Sequence, residues 1–428
     1  MRFLKYSMIL AGFALLASCS KMLDVKSHSA VATNTLSPDD IESFLNGVYN
    51  RVQSAPGATS YIDFDLTGGN LINSGATSDG GLNTFISNIL RPEQSLMSAA
   101  WDGYYRALYQ VNNLLESVDQ LPASQRRTEI DGIAHFFRGY IYYNLVTRWG
   151  GVPVLEKSTQ EKVPRNTEVE VWAFIEKELQ TAMEEAPQYT AGSYYYVSRE
   201  AAQGLLARVE LDQGKDQQAA QLSEGLITSG LFHLDDFDKI FRAKDNSEEI
   251  FSFLNLTIES GVDISTLFYT YAHPVKGSYV YKPTQEVMNL FEAGDKRAAI
   301  SIDTYDGLDV INKYPSGQSG SDPIVVVRLG EMYLISAEAQ GLAGLDRLNE
   351  LRAARGLAAV HPADEASYLD AVLLERRREL LAEGFRWYDL VRLNRAESVL
   401  GLQPRESRYP LPMNEIALNQ KLTQNDGY

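Results

Sequence analysis

The chain is predicted to be mostly α, a tetratricopeptide-like helical repeat scaffold with irregular loop inserts that carry short strands. Three observations predict this. Apolar residues recur at i, i+3, i+4 and i+7 in segment after segment, the signature of helices with one buried face. Small residues, Gly204, Ala207, Ala219 and Ala220, stand where a tetratricopeptide-like pair must approach closely. Two stretches, at about 54–93 and 231–320, lose helical periodicity and gain Gly, Ser, Thr, Asn and Tyr.

Folded structure starts at SPDDIESFLNGVYNRV. Ser37 can cap, Pro38 suits the first helical position, and Asp39 and Asp40 complement the positive end of the helix dipole. Ile41, Phe44, Leu45, Val48, Tyr49 and Val52 then form one stripe. After the first insert, helical spacing returns over Trp101–Val118 and Glu129–Trp149, the second running into Gly-Gly-Val-Pro, a stop signal. Thr167 introduces a helix over Glu168–Glu185, and Gly214-Lys215 splits Ser198–Gln213 from Gln217–Ser229. The second insert is expected to hold short strands and loops. Helices resume over Val327–Ala343, Asp346–Arg355, Ala366–Glu383 and Trp387–Leu393.

The N-terminus carries a different signal. Arg2 and Lys5 precede an apolar run of about ten residues, too short to span a bilayer and typical of a secretory leader. The run ends at Leu16-Ala17-Ser18-Cys19, which looks like a bacterial lipobox. Residues 1–18 are thus expected to be a signal peptide and Cys19 the lipidated residue, with 19–36 a polar tether and 37–428 a helical domain. Two or three acyl chains anchor stably, at about 0.8 kcal/mol per buried CH₂. Cys19 is the only cysteine among 428 residues, so disulfides and cysteine nucleophiles are excluded from the mature chain. The net charge of −17 argues against nucleic acid and against lying on anionic headgroups.

The sequence offers little catalytic chemistry. The five histidines have neither an i, i+4 pair nor an HExxH, so no metal site is expected. The sequence has no P-loop, dinucleotide fingerprint or nucleophile elbow, and no cofactor is expected. Glu375 and Glu379, one helical turn apart, could suit a glycosidase, whose two acids stand roughly 5 to 10 Å apart. Arg376, Arg377, Arg378, Arg386 and Arg392 surround them in sequence, however, and would keep both ionised in a structural ion-pair network against Trp387 and Tyr388. Tyrosine is the remaining signal, with 24 in clusters. Those at 104–105 and 140–143 have helical spacing and belong to the core. Those at 269, 271, 279 and 281 lie in an insert, where their rings either cover a small local core or stack on the C–H face of a sugar.

In order along the chain, Cys19-Ser20-Lys21-Met22-Leu23-Asp24, LNGVYN (45–50), RGYIYYNLVTRWGGVPV (138–154), EEIF (248–251), RLGEMYLISAEA (328–339), LNELRAARGL (348–357), ERRRELLAEGFRWYDLVRL (375–393), YPLPMNEI (409–416) and LTQNDGY (422–428) resemble the SusD/RagB family of Bacteroidetes outer-membrane lipoproteins. The resemblance implies a SusD-like fold with four tetratricopeptide-like units. It also implies a non-enzymatic surface protein that captures an oligosaccharide, or sometimes a peptide, and passes it to a SusC-like TonB-dependent transporter in the outer membrane. Alternative readings are an envelope glycoside hydrolase, or a transporter lid that binds peptide or protein rather than glycan. Ligand contacts in this family have no motif, so exposure and chemistry nominate Asp79, Asn83 and Phe85 in the first insert, Tyr195, and Tyr269, Tyr271 and Tyr279 in the second.

Overall fold

A computed structural model describes residues 38–76, 87, 90–242, 244–256, 258 and 261–428, with the side chains from 40 onward. Cys19, the leader and the tether lie outside the described residues, as do Asp79, Asn83 and Phe85.

The scaffold is a succession of packed helices: α1 (Pro38–Ser54), α2 (Ser95–Val118), α3 (Gln125–Trp149), α4 (Glu168–Glu185), α5 (Arg199–Asp212), α6 (Asp216–Ile227), α7 (Leu329–Ala339), α8 (Leu345–Ala354), α9 (Glu365–Glu379) and α10 (Arg386–Arg392). The predicted segments correspond to these, and the ends follow local chemistry. Ser124 Oγ accepts from Arg127 N at the start of α3, and Thr167 and Glu170 close a reciprocal capping box at α4. In the predicted close pair, α5 and α6 pack together, and a Cβ on Gly204 would lie 2.4 Å from Val327 Cγ1. Of the tyrosines expected in the core, Tyr104, Tyr140 and Tyr142 are buried in one apolar cluster that runs from Ile41 to Leu422, and Tyr105 and Tyr143 pack against it partly buried.

Two expectations change. The helix placed at Val327 begins at Leu329, because Ile324–Arg328 is a strand, β6, paired antiparallel with β2 (Glu249–Phe253). Its β-branched run is buried between helices, where a continuous apolar strand leaves no period-2 trace. The first insert is not one long loop: after a 3₁₀ turn at Ala58–Tyr61 it forms a helical turn, Asp63–Thr67, and a strand, β1 (Leu71–Asn73). β1 pairs antiparallel with β3 (Tyr281–Pro283) of the second insert, Leu71 opposite Pro283 and Asn73 opposite Tyr281. The second insert also carries the hairpin of β4 (Ile302–Tyr305) and β5 (Leu308–Ile311).

Candidate functional site: the face built by the two inserts

The inserts are far apart in sequence but are clamped to one segment, 375–389. The first is held through carboxylates. Asp65 Oδ1 and Oδ2 accept from Ala382 N at 2.9 Å and Gly384 N at 2.8 Å, and Asn70 Nδ2 donates to Asp65 at 2.8 Å. Asp63 forms a buried bidentate pair with Arg148, whose guanidinium lies 4.5 Å from the Phe64 ring centroid. The second insert is held through cations. Arg297 bridges Asp295, Glu375 and Glu379 at 2.6 to 2.8 Å, and Lys313 Nζ reaches Glu383 at 2.7 Å.

This network decides the fate of the candidate carboxylates. Glu379 is fully buried and accepts from Arg328, Arg355 and Arg297 at 2.6 to 3.1 Å. Burial alone would raise its pKa, but Arg355, Arg328 and Arg297 together hold it well below the usual carboxylate range. Glu375 is also fully buried, paired to Arg297 and Arg352. The expected ion-pair network exists, with different partners. Of the arginines nearby in sequence, only Arg378 reaches Glu375, at 3.6 Å, while Arg376 and Arg392 turn to Asp389. The cations that hold Glu379 come from the second insert, β6 and the end of α8, contacts that no local spacing reveals.

At the joined edge, Ser74 N donates to Val280 O at 3.0 Å and Ser74 Oγ donates to Tyr279 O. Residues 269–279 fold back on themselves: Gly277 N donates to Thr270 O, and Tyr279 N to Tyr269 O at 2.9 Å. Gly317 braces this loop from behind. Its φ is 57°, and a Cβ there would lie 1.8 Å from Val275 O, so only glycine fits.

The loop sorts the nominated tyrosines into two classes. Tyr269 and Tyr279 are 1% and 6% exposed and form a small core with Val310. Tyr269 donates to Asn312 Oδ1 at 2.7 Å and Tyr279 to Asp309 O at 2.8 Å. The exposure on which they were nominated is therefore corrected: a loop this compact must bury something, and it buries these rings. Tyr271, between them in sequence, is 72% exposed, with Lys276 Nζ 5.3 Å from its ring centroid. Lys276 and His273 were not among the nominated residues. His273 sits between Tyr269 (centroids 4.4 Å, stacked) and Tyr305 (4.5 Å, edge-on). Burial lowers its pKa and favours the neutral imidazole, outweighing the upward pull of Asp303. Tyr195 belongs to another surface, a groove beside α1.

Two family models match the chain. One, described as starch-binding associating with outer membrane, covers residues 21–211, and the SusD family model covers 309–406. The chain belongs to the SusD/RagB family. Relatives within it include SusD-like protein P38 of Formosa agariphila, 26% identical over 98% of both chains, and SusD-like protein P2 of the same organism, 25% identical over 91% of this chain and 92% of the other. Among solved structures, a laminarin binding SusD-like protein superposes with a TM-score of 0.82 at 23% identity, covering 92% of this chain and 100% of that one. Surface glycan-binding protein A from Bacteroides fluxus superposes with a TM-score of 0.81 at 22% identity, covering 92% and 100%. These structures establish the SusD-like fold of the chain. No helix among the described residues is long and apolar enough to cross a membrane.

Proposed function

We propose that this SusD-family protein captures a glycan on the face built by its two inserts and delivers it, without turnover, to a SusC-like TonB-dependent transporter. Tyr271 carries the reading. It is a large exposed aromatic ring on a loop braced from behind, with a cation over its face and hydroxyl-bonding side chains close by in sequence. Holding a ring open to solvent on a rigid loop leaves apolar area unburied, and a sugar's C–H face fits that area. The nominated Asp79, Asn83 and Phe85 would complete the face from the first insert. A family model described as starch-binding, and similar structures described as laminarin binding and glycan-binding, support the ligand class.

The same reading makes Cys19 the lipid anchor and 19–36 the tether that lets an acidic body stand off the membrane. The protein would then sit in the outer membrane and face the cell exterior. Extraction of the membrane-anchored protein in mild detergent should co-purify a large outer-membrane β-barrel, and Cys19→Ala should release the protein from the membrane fraction. A solitary protein at every detergent tested would contradict the transporter hand-off.

A further inference from the structure

A second surface has its own recognition chemistry. Between α1 and the end of β2 lies a groove of about 260 Å³, close to the lower bound of about 300 Å³ typical of small-ligand sites. One wall is a face of α1, where Asn46, Asn50 and Gln53 follow one another at i, i+4 and i+7 and so line up along the helix. The other wall is aromatic. Tyr196 is 65% exposed, and Tyr195 packs against Tyr194 with ring centroids 4.6 Å apart.

This wall is fixed in advance of any ligand. Ser252 N of β2 donates to Tyr194 O at 2.8 Å, Val197 N donates to the Tyr49 hydroxyl of α1 at 2.8 Å, and Tyr196 N donates to Ser193 O at 2.9 Å. Gln53 is 3% exposed, and among the described residues its amide nitrogen has no hydrogen-bond partner. Although the whole chain has a net charge of −17, none of the described residues lining the groove carries a formal charge.

We infer that this groove is a second saccharide subsite, separate from the Tyr271 face and selective for a single neutral pyranose unit. Tyr196 supplies a flat ring for the C–H face. The carboxamides, each both donor and acceptor, match the paired donor and acceptor character of vicinal hydroxyls. A uronate or sulfated unit would find no cation among the described lining residues to offset the desolvation of its charge. A volume of this size holds one ring, so a longer chain would leave the groove after one residue. The inference extends the capture reading and rests on it for the choice of saccharide probes.

The test uses residues 20–428, which include every described residue, and saturation-transfer NMR with methyl β-glucoside, methyl β-galactoside, methyl α-mannoside, methyl β-xyloside and methyl β-glucuronide. At least one neutral glycoside should give a signal that falls roughly tenfold in Tyr196→Ala, the size of one aromatic contact. The signal should also fall in Asn46→Ala and persist in Tyr271→Ala. Both groove side chains are exposed, so these variants fold, and unchanged melting curves check that they do. The glucuronide should give no Tyr196-dependent signal. A signal lost only in Tyr271→Ala would overturn the second subsite and leave the capture face standing. A signal lost in Tyr196→Ala and lowered in Asn46→Ala, but kept in Tyr271→Ala, would support it. Silence from every neutral glycoside, or a glucuronide signal equal to the neutral ones, would overturn it.

Discussion

Tyr271 and Tyr279 are eight positions apart in one loop and have opposite roles, so they make a controlled pair. Tyr279→Ala removes a buried ring and a hydroxyl bonded to Asp309 O, and should cost about 3 kcal/mol of stability, read as a lower urea midpoint. Tyr271→Ala removes an exposed ring and should change stability by less than about 0.5 kcal/mol. Glu379 is the other residue whose substitution discriminates. Glu379→Gln leaves Arg297, Arg328 and Arg355 short of their shared anion in a fully buried site, and should cost about 3 to 5 kcal/mol. A glycosidase reading would instead have Glu379→Gln fold normally and lose hydrolysis, so urea unfolding of this one variant separates structural from catalytic use.

At the scale of elements, close approach is the testable quantity. Gly204 of α5 lies under Val327 of β6, and Gly204→Ala should destabilise by about 1 to 3 kcal/mol through overpacking, as measured by thermal unfolding. A neutral result would mean that α5 and β6 are less tightly apposed than they are here. Helices were legible because period 3.6 leaves its record in each one separately, together with Thr167, Ser198 and Gly150 at their ends. Strand β6 was not, since a short apolar run buried on both faces has no alternation, and its partner β2 is about 70 residues away. The insert face was legible only in part. Composition marked the inserts and their tyrosines, but the ring left exposed depends on a turn closed by Gly277 and Gly317, and three adjacent tyrosines at 194–196 carry no period that singles out Tyr196.

For the molecule as a whole, acidic groups of two kinds compete. Burial pushes Asp65 and Asp322 up to about 6, and Asp212 and Glu249 up to about 7. Such groups hold a proton more readily when folded, so their contribution is fully present below the unfolded value of about 4 and is lost as pH rises through 6 to 7. Glu379, Glu383 and Asp389 are lowered, burial being outweighed by their arginine and lysine partners, so their contribution is present at neutral pH and is lost on acidification below about 4.5. The melting temperature should therefore rise from about pH 7 to about pH 5 and fall below about pH 4.5. A monotonic fall from neutrality would mean that the buried acids are charged and paired.

The central claim is capture without chemistry on the insert face, and calorimetric titration tests it most directly. Residues 20–428 and Tyr271→Ala would be titrated with laminarin oligosaccharides and a panel of plant, host and microbial oligosaccharides and peptides, with the products recovered and analysed. The account predicts that one glycan class binds and is recovered intact, and that Tyr271→Ala binds it about tenfold more weakly with unchanged melting. Cleaved product, or a Tyr271→Ala variant that binds as tightly as the parent chain, would contradict it.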